Sequence, residues 1–236
     1  DFFSCVNYAD NASVPRLLFS NGAVGDVIQQ WNGTNVTDYA PTFAGGALNA
    51  RQMFEVRDRL VLFQTYEGGA FFPRRIRISG TGVNTDVFDT TATGAGFIDI
   101  PDNTFFYGAA FNRDDVMFFT EAACWMLKYT GNDVTPFTLE KIDGSRGSKA
   151  AFSVISYLNR TMAASPRGLL ISNGYTLERM DENIPEFSYN TVNNEFFESC
   201  FSAFLDEERD VYMLYPSKVQ DNPDSRPSFL EDESSD

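Results

Sequence analysis

The sequence predicts an all-β fold, a β-propeller of repeated antiparallel hairpin blades whose last blade is incomplete. Three observations predict it. Helical periodicity is nearly absent, and apolar runs of about four to eight residues alternate with turns rich in Gly, Asn or Asp. The chain of 236 residues carries 23 Phe, many in short runs with Val, Ile, Leu and Thr, a mixture suited to pleated, half-buried surfaces. A strand-plus-turn segment also occurs twice.

Taken in order, Asp1-Phe-Phe-Ser-Cys-Val6 already reads as a strand, so the chain is expected to be a piece of a longer protein. Pro15-Arg-Leu-Leu-Phe-Ser-Asn-Gly22 is an apolar strand ending in Asn-Gly, a pair that tolerates the positive φ of a tight turn. Asp26–Trp31 resumes as an extended segment. Gln52–Val56 and Arg59–Tyr66 form a hairpin across Arg57-Asp58. Phe105–Phe111 and Val116–Thr120 do so across Asn112–Asp115, and Phe201–Leu205 and Val211–Tyr215 across Asp206–Asp210.

The first segment recurs as Pro166-Arg-Gly-Leu-Leu-Ile-Ser-Asn-Gly174, followed by an extended Tyr175–Met180. The two Asn-Gly pairs lie roughly 150 positions apart, room for about three or four blades of ~40–50 residues. Turn signals place the blades near 1–42, 47–90, 95–143, 147–188 and 193–216, a propeller-like domain over 1–216. Residues 217–236 have little to bury and end in Glu231-Asp-Glu-Ser-Ser-Asp236; they are expected to form an acidic extended arm or linker.

Composition narrows the function classes. With 33 acidic and 18 basic residues the formal net charge is -15, which repels phosphate and argues against conventional DNA binding. Cys5, Cys124 and Cys200 are odd in number and widely spaced, so no disulfide framework is expected; Cys124 and Cys200 sit in apolar runs and are expected to be buried free thiols. The chain has no His, which removes Ser-His-Asp and Cys-His catalysis and leaves little for zinc. Val116-Met-Phe-Phe119 is far too short to span a bilayer, so no membrane anchor is expected.

Motifs that could carry chemistry are weak. Gly144-Ser-Arg-Gly-Ser-Lys149 lacks phosphate-loop spacing and reads as a connection between blades. Asp114-Asp115 and Glu207-Glu208 fall in turns and read as solvated turn residues rather than a catalytic pair. Arg74-Arg75-x-Arg77 could take an anion or a sugar carboxylate, but is expected to make salt bridges to an acidic neighbour. Trp31 and Trp125 are expected to pack in the core or between blades. Of the Asn-x-Ser/Thr sites at Asn11, Asn32, Asn35 and Asn159, Asn32-Gly33 reads as a turn between Trp31 and Val36. No catalytic, cofactor-binding or metal-ligating residue is assigned, and the chain is expected not to be an enzyme.

From Ala50 to Tyr215 the chain resembles the β-propeller tail proteins of short-tailed bacteriophages, the nozzle or hub components below the portal. Arg57-Asp-Arg-Leu-Val-Leu-Phe63, Arg75-Ile-Arg-Ile-Ser-Gly-Thr-Gly82 with Asp86-Val-Phe88, and Asp114–Leu127 carry the resemblance, followed by Gly168-Leu-Leu-Ile-Ser-Asn-Gly174 and Asp210–Pro216. Ala123-Cys124, where the family often has a polar pair, and Phe88, where it usually has tryptophan, depart from it.

The resemblance implies a structural component of the virion tail that oligomerises into a homo-oligomeric ring, usually sixfold. Portal, adaptor and tail fibre or spike proteins would be its partners, with genomic double-stranded DNA passing through the lumen. A carboxylate-lined lumen would hold phosphate off the wall. Two other readings stand beside it: a carbohydrate-binding or carbohydrate-cleaving propeller, and a cellular protein-interaction propeller.

Overall fold

In a computed structural model of the chain, residues 3–9, 14–183, 192–205 and 209–216 are described. Each sheet is antiparallel and grows by pairing every strand with its sequence neighbour. The first sheet holds β1 (Ser4–Ala9), β2 (Pro15–Ser20), β3 (Gln29–Trp31) and β4 (Val36–Asp38). The second holds β5 (Leu48–Val56), β6 (Arg59–Glu67), β7 (Ala70–Ile78) and β8 (Gly96–Asp99). The third holds β9 (Phe106–Asn112), β10 (Asp115–Thr120), β11 (Cys124–Tyr129) and β12 (Phe137–Asp143). β13 (Ile155–Tyr157), β14 (Arg160–Ser165), β15 (Gly168–Ser172) and β16 (Leu177–Arg179) make the fourth, and β17 (Phe201–Leu205) and β18 (Asp210–Leu214) a two-stranded fifth.

The hairpins follow from local backbone chemistry. Arg57 and Asp58 have φ of 52° and 60°, two successive left-handed residues whose twist matches that of the strands they join. Leu158 and Asn159, at 44° and 63°, join β13 to β14 in the same way. The predicted turns at Arg57-Asp58 and Asn112–Asp115 are both present, the second with Asn112 paired to Asp115. Part of the third predicted turn, residues 206–208, lies outside the described residues, while its strands pair from Phe201↔Leu214 to Leu205↔Asp210.

Side chains alternate across a strand, and here both faces are apolar because the sheets stack face to face. On β6, Leu60 and Leu62 join Tyr8, Leu18 and Phe88 between the first two sheets. Val61 and Phe63 join Phe106 and Phe118 between the second and third. On β10, Val116 and Phe118 point to the second sheet, whereas Met117 and Phe119 meet Ala163 and Leu170 of the fourth. A further layer of Ala150, Ala164, Val192, Phe197 and Cys200 lies against the segment leading to the fifth sheet. Burying each such large side chain contributes about 1.5–3 kcal/mol.

Several expectations are corrected. Gly96–Asp99 pairs with β7, so the second sheet runs to Asp99 instead of stopping near 90, and the third begins at Phe106. The 79–95 segment is a long connection inside one sheet; turn signals alone made it look like a boundary. The two copies of the repeat are not in phase. Pro15–Ser20 is the second strand of its sheet, and Gly168–Ser172 the third of its own.

The two Asn-Gly turns consequently sit at different ends of neighbouring strands. Gly22 (φ +65°) packs on Ala50 and Arg51 near the start of β5, while Gly174 (φ +94°) packs on Asn112 at the end of β9. What repeats is local turn chemistry. In each copy the Ser hydroxyl accepts the Gly N–H (Gly22 to Ser20 Oγ, Gly174 to Ser172 Oγ), and the Asn side chain accepts the N–H two residues on. Trp31 is 43 % exposed, contrary to expectation, because β3 and β4 are short and no further layer of described residues covers that face. Trp125 is buried as expected, parallel to Phe118.

Burial also sets an alkaline limit on stability. It pushes the Tyr8 and Tyr215 phenols up to about 12 and the Cys200 thiol to about 11. Tyr39, donating to Asp86 Oδ1 at 2.6 Å, and Cys124 are raised further by burial and a nearby carboxylate. These acids keep protons in the folded chain that the unfolded chain has already lost. Their stabilising contribution is therefore complete below the ordinary thiol and phenol range and is lost as pH rises toward 12. Urea midpoints are expected to hold to about pH 9 and fall steadily from there to 12; a midpoint unchanged at pH 11 would contradict this burial.

Candidate functional site

A hollow of about 510 Å³ opens where four of the five sheets send a segment. Asn21 to Ala23 come from the β2–β3 turn, Arg51 from β5, Phe152 from the short helical turn before β13, and Glu198 with Ser199 from the one before β17.

The local sequence explains why Arg51 is there. Ala50 pairs with Thr65 and Gln52 with Phe63, so Arg51 faces Gln64 across an interruption in the ladder. Gln64 is left-handed (φ 54°), and its amide donates to Phe106 O on the third sheet. Gln52 accepts the Ala109 N–H at 2.7 Å. Ser20 Oγ donates to Ala50 O at 2.5 Å, and a Cβ at Gly22 would stand 3.0 Å from the Arg51 Cα. Arg51 is thus clamped by its backbone. Its Nε is buried without a hydrogen-bond partner, and its guanidinium makes no ion pair among the described residues.

A second group of charges lies beside it. The Tyr107 phenol is raised chiefly by burial, reinforced by the Glu198 and Glu121 carboxylates and opposed by Lys149 and Arg51. Lys149 pairs with Glu121 at 2.6 Å. Arg51 and Glu198 share the hollow yet stay more than an ion-pair distance apart, leaving a cation and an anion facing one space.

The residues singled out in the sequence behave differently. Arg74 donates to Asp102 O and Asn103 Oδ1. Arg75 forms a two-pronged pair with Asp99 at 2.9 and 3.0 Å, between the Phe72 and Phe97 rings. Arg77 clasps the buried Glu67 with two 2.7 Å bonds. The cluster is spent on structure, as the salt-bridge reading expected.

Asp115 accepts the Tyr129 N–H, and the exposed Asp114 lies 3.6 Å from Arg57. Glu207-Glu208 lie outside the described residues, as do Asn11 and residues 217–236. In the 144–149 connection, Asp143 Oδ1 takes the Ser145 and Arg146 N–H groups, and Ser148 bonds Thr120 O and Ala164 O. That loop is pinned between the third and fourth sheets. Asn32 accepts from the Thr34 and Asn35 N–H groups, the expected turn. Cys124 and Cys200 are buried free thiols and Cys5 is exposed.

Sequence reasoning missed the hollow. Its available signal was a polar Arg51-Gln52 step inside an apolar strand. Among the described residues no group of three His, Cys, Asp or Glu is placed to hold a metal ion, and no helix is long and apolar enough to cross a membrane. No protein-family model matches the chain, and no curated protein matches it.

Proposed function

We propose that this chain is a β-propeller, its stacked sheets serving as blades, with a structural, non-enzymatic role in a viral tail. In that reading it forms a ring below the portal through which genomic DNA passes. One observation carries it. Apart from Asp86-Val-Phe88 in the 79–95 connection, the segments resembling phage tail propellers occupy second or third strands of consecutive sheets: β6 and β7, then β10 and β11, then β15, then β18. The likeness thus recurs in the same strand context from one sheet to the next.

The acidic balance supports the same role, since the net charge is -15 and Asp26, Asp38 and Glu178 are exposed carboxylates without an ion pair among the described residues. Such a surface suits a wall along which phosphate slides without sticking. The test is assembly with the portal and adaptor proteins encoded in the same genome, followed by light scattering and negative-stain microscopy. A closed ring bound to the portal–adaptor complex is expected. A chain that stays monomeric and binds neither protein would overturn the proposal.

A further inference from the structure

We infer that the hollow around Arg51 is a binding site for a carboxylate-bearing sugar unit. The two-pronged guanidinium matches the planar geometry of a carboxylate. Arg59, Arg74, Arg75, Arg77, Arg146 and Arg179 are already engaged by protein groups. Arg51 has its Nε buried and unbonded and faces the hollow. Nε itself is covered by protein, so a ligand carboxylate would meet the two Nη nitrogens, which make no hydrogen bond or ion pair among the described residues.

The other lining groups select the rest of the ligand. Glu198 would repel a doubly charged phosphate, as would Glu121 nearby, whereas a carboxylate accepts readily from sugar hydroxyls. Ser199 follows Glu198 in the lining, and its hydroxyl, which donates to Phe196 O, can still accept from a sugar hydroxyl, while Phe152 makes part of the lining apolar. At about 510 Å³ the hollow lies within the size range of small-molecule sites. The turns that build it come from four sheets, so the site exists only when they stack.

This inference does not depend on the tail role. It is tested on the full chain by saturation-transfer and titration NMR with glucuronate and galacturonate. Glucose and galactose serve as ring controls, acetate as a carboxylate control, and inorganic phosphate as an anion control. Hexuronates are expected to bind, with each control at least tenfold weaker. Arg51→Gln should weaken hexuronate binding at least tenfold, Arg51→Lys by an intermediate factor, and Glu198→Ala severalfold. The exposed Arg160→Gln should leave binding unchanged. Arg51 makes no hydrogen bond to lose, so its variants should stay folded, checked by a cooperative melting transition, and a loss of binding then reports on the site. Absence of hexuronate binding, phosphate or acetate binding as tight as hexuronate, or full binding by Arg51→Lys and Arg51→Gln would each overturn the assignment.

Discussion

Glu67→Ala is expected to destabilise the fold by about 3–5 kcal/mol, the cost of stranding a buried charge. Glu67 ends β6 with a side chain 7 % exposed, and Arg77 beside it is 8 % exposed. Arg77 Nε and Nη2 each donate to it at 2.7 Å, Thr65 Oγ1 donates at 2.7 Å, and Arg75 Nη1 approaches at 3.4 Å. Removing the carboxylate leaves one guanidinium packed on Phe43 and another held between Phe72 and Phe97. Water cannot readily replace the lost acceptor. Glu67→Gln keeps an acceptor without the charge and should cost less, about 1–3 kcal/mol. Asp99 is the comparison, since it also pairs with Arg75 but is 46 % exposed, so Asp99→Ala should cost under about 1 kcal/mol. Urea denaturation of the three variants decides it; a Glu67→Ala loss no larger than that of Asp99→Ala would show that the buried pair is not formed.

That network marks the boundary of what the sequence discloses. Three arginines on one strand signal an acidic neighbour, and the neighbours proved to be Glu67 and Asp99. Nothing in the spacing says that both would come from flanking strands of the same sheet, because register depends on where β7 turns back from β6. Short apolar runs separated by turn residues made the sheets legible, since alternation and left-handed turns act locally. Runs such as Leu60–Phe63 also announce burial on both faces, which requires stacked sheets.

The 79–95 connection misled for the complementary reason. Gly80 and Gly82 mark turns without saying which strand the chain will pair with next, and the β7–β8 pairing that keeps Asp99 in the second sheet is non-local. The Ser-Asn-Gly repeat was visible but its phase was not, because the turn chemistry is self-contained and serves either end of a sheet. The hollow at Arg51 was least legible. Its walls are contributed by residues far apart in the chain, and its defining property, an arginine left without an ion pair among the described residues, exists only after the sheets stack.

Phe118→Ala should also cost about 3–5 kcal/mol, through lost transfer energy and the cavity left behind. Phe118 is fully buried on β10, with ring centroids 5.6 Å from Phe63, 6.1 Å from Phe106 and 6.5 Å from Trp125. These rings fill one layer, between the second and third sheets. Phe119, next in sequence and also fully buried, belongs to the layer on the other side. The consequence concerns coupling more than size. Milder Phe→Leu changes keep the protein folded and allow double-mutant cycles. Phe63→Leu combined with Phe118→Leu should depart from additivity by about 0.5–3 kcal/mol, because the two rings share a cavity. Phe63→Leu with Phe119→Leu should add within about 0.5 kcal/mol, because a sheet separates them. Equal coupling in the two cycles would mean that Phe118 and Phe119 do not face opposite layers, and the stacked-sheet arrangement would fail with it.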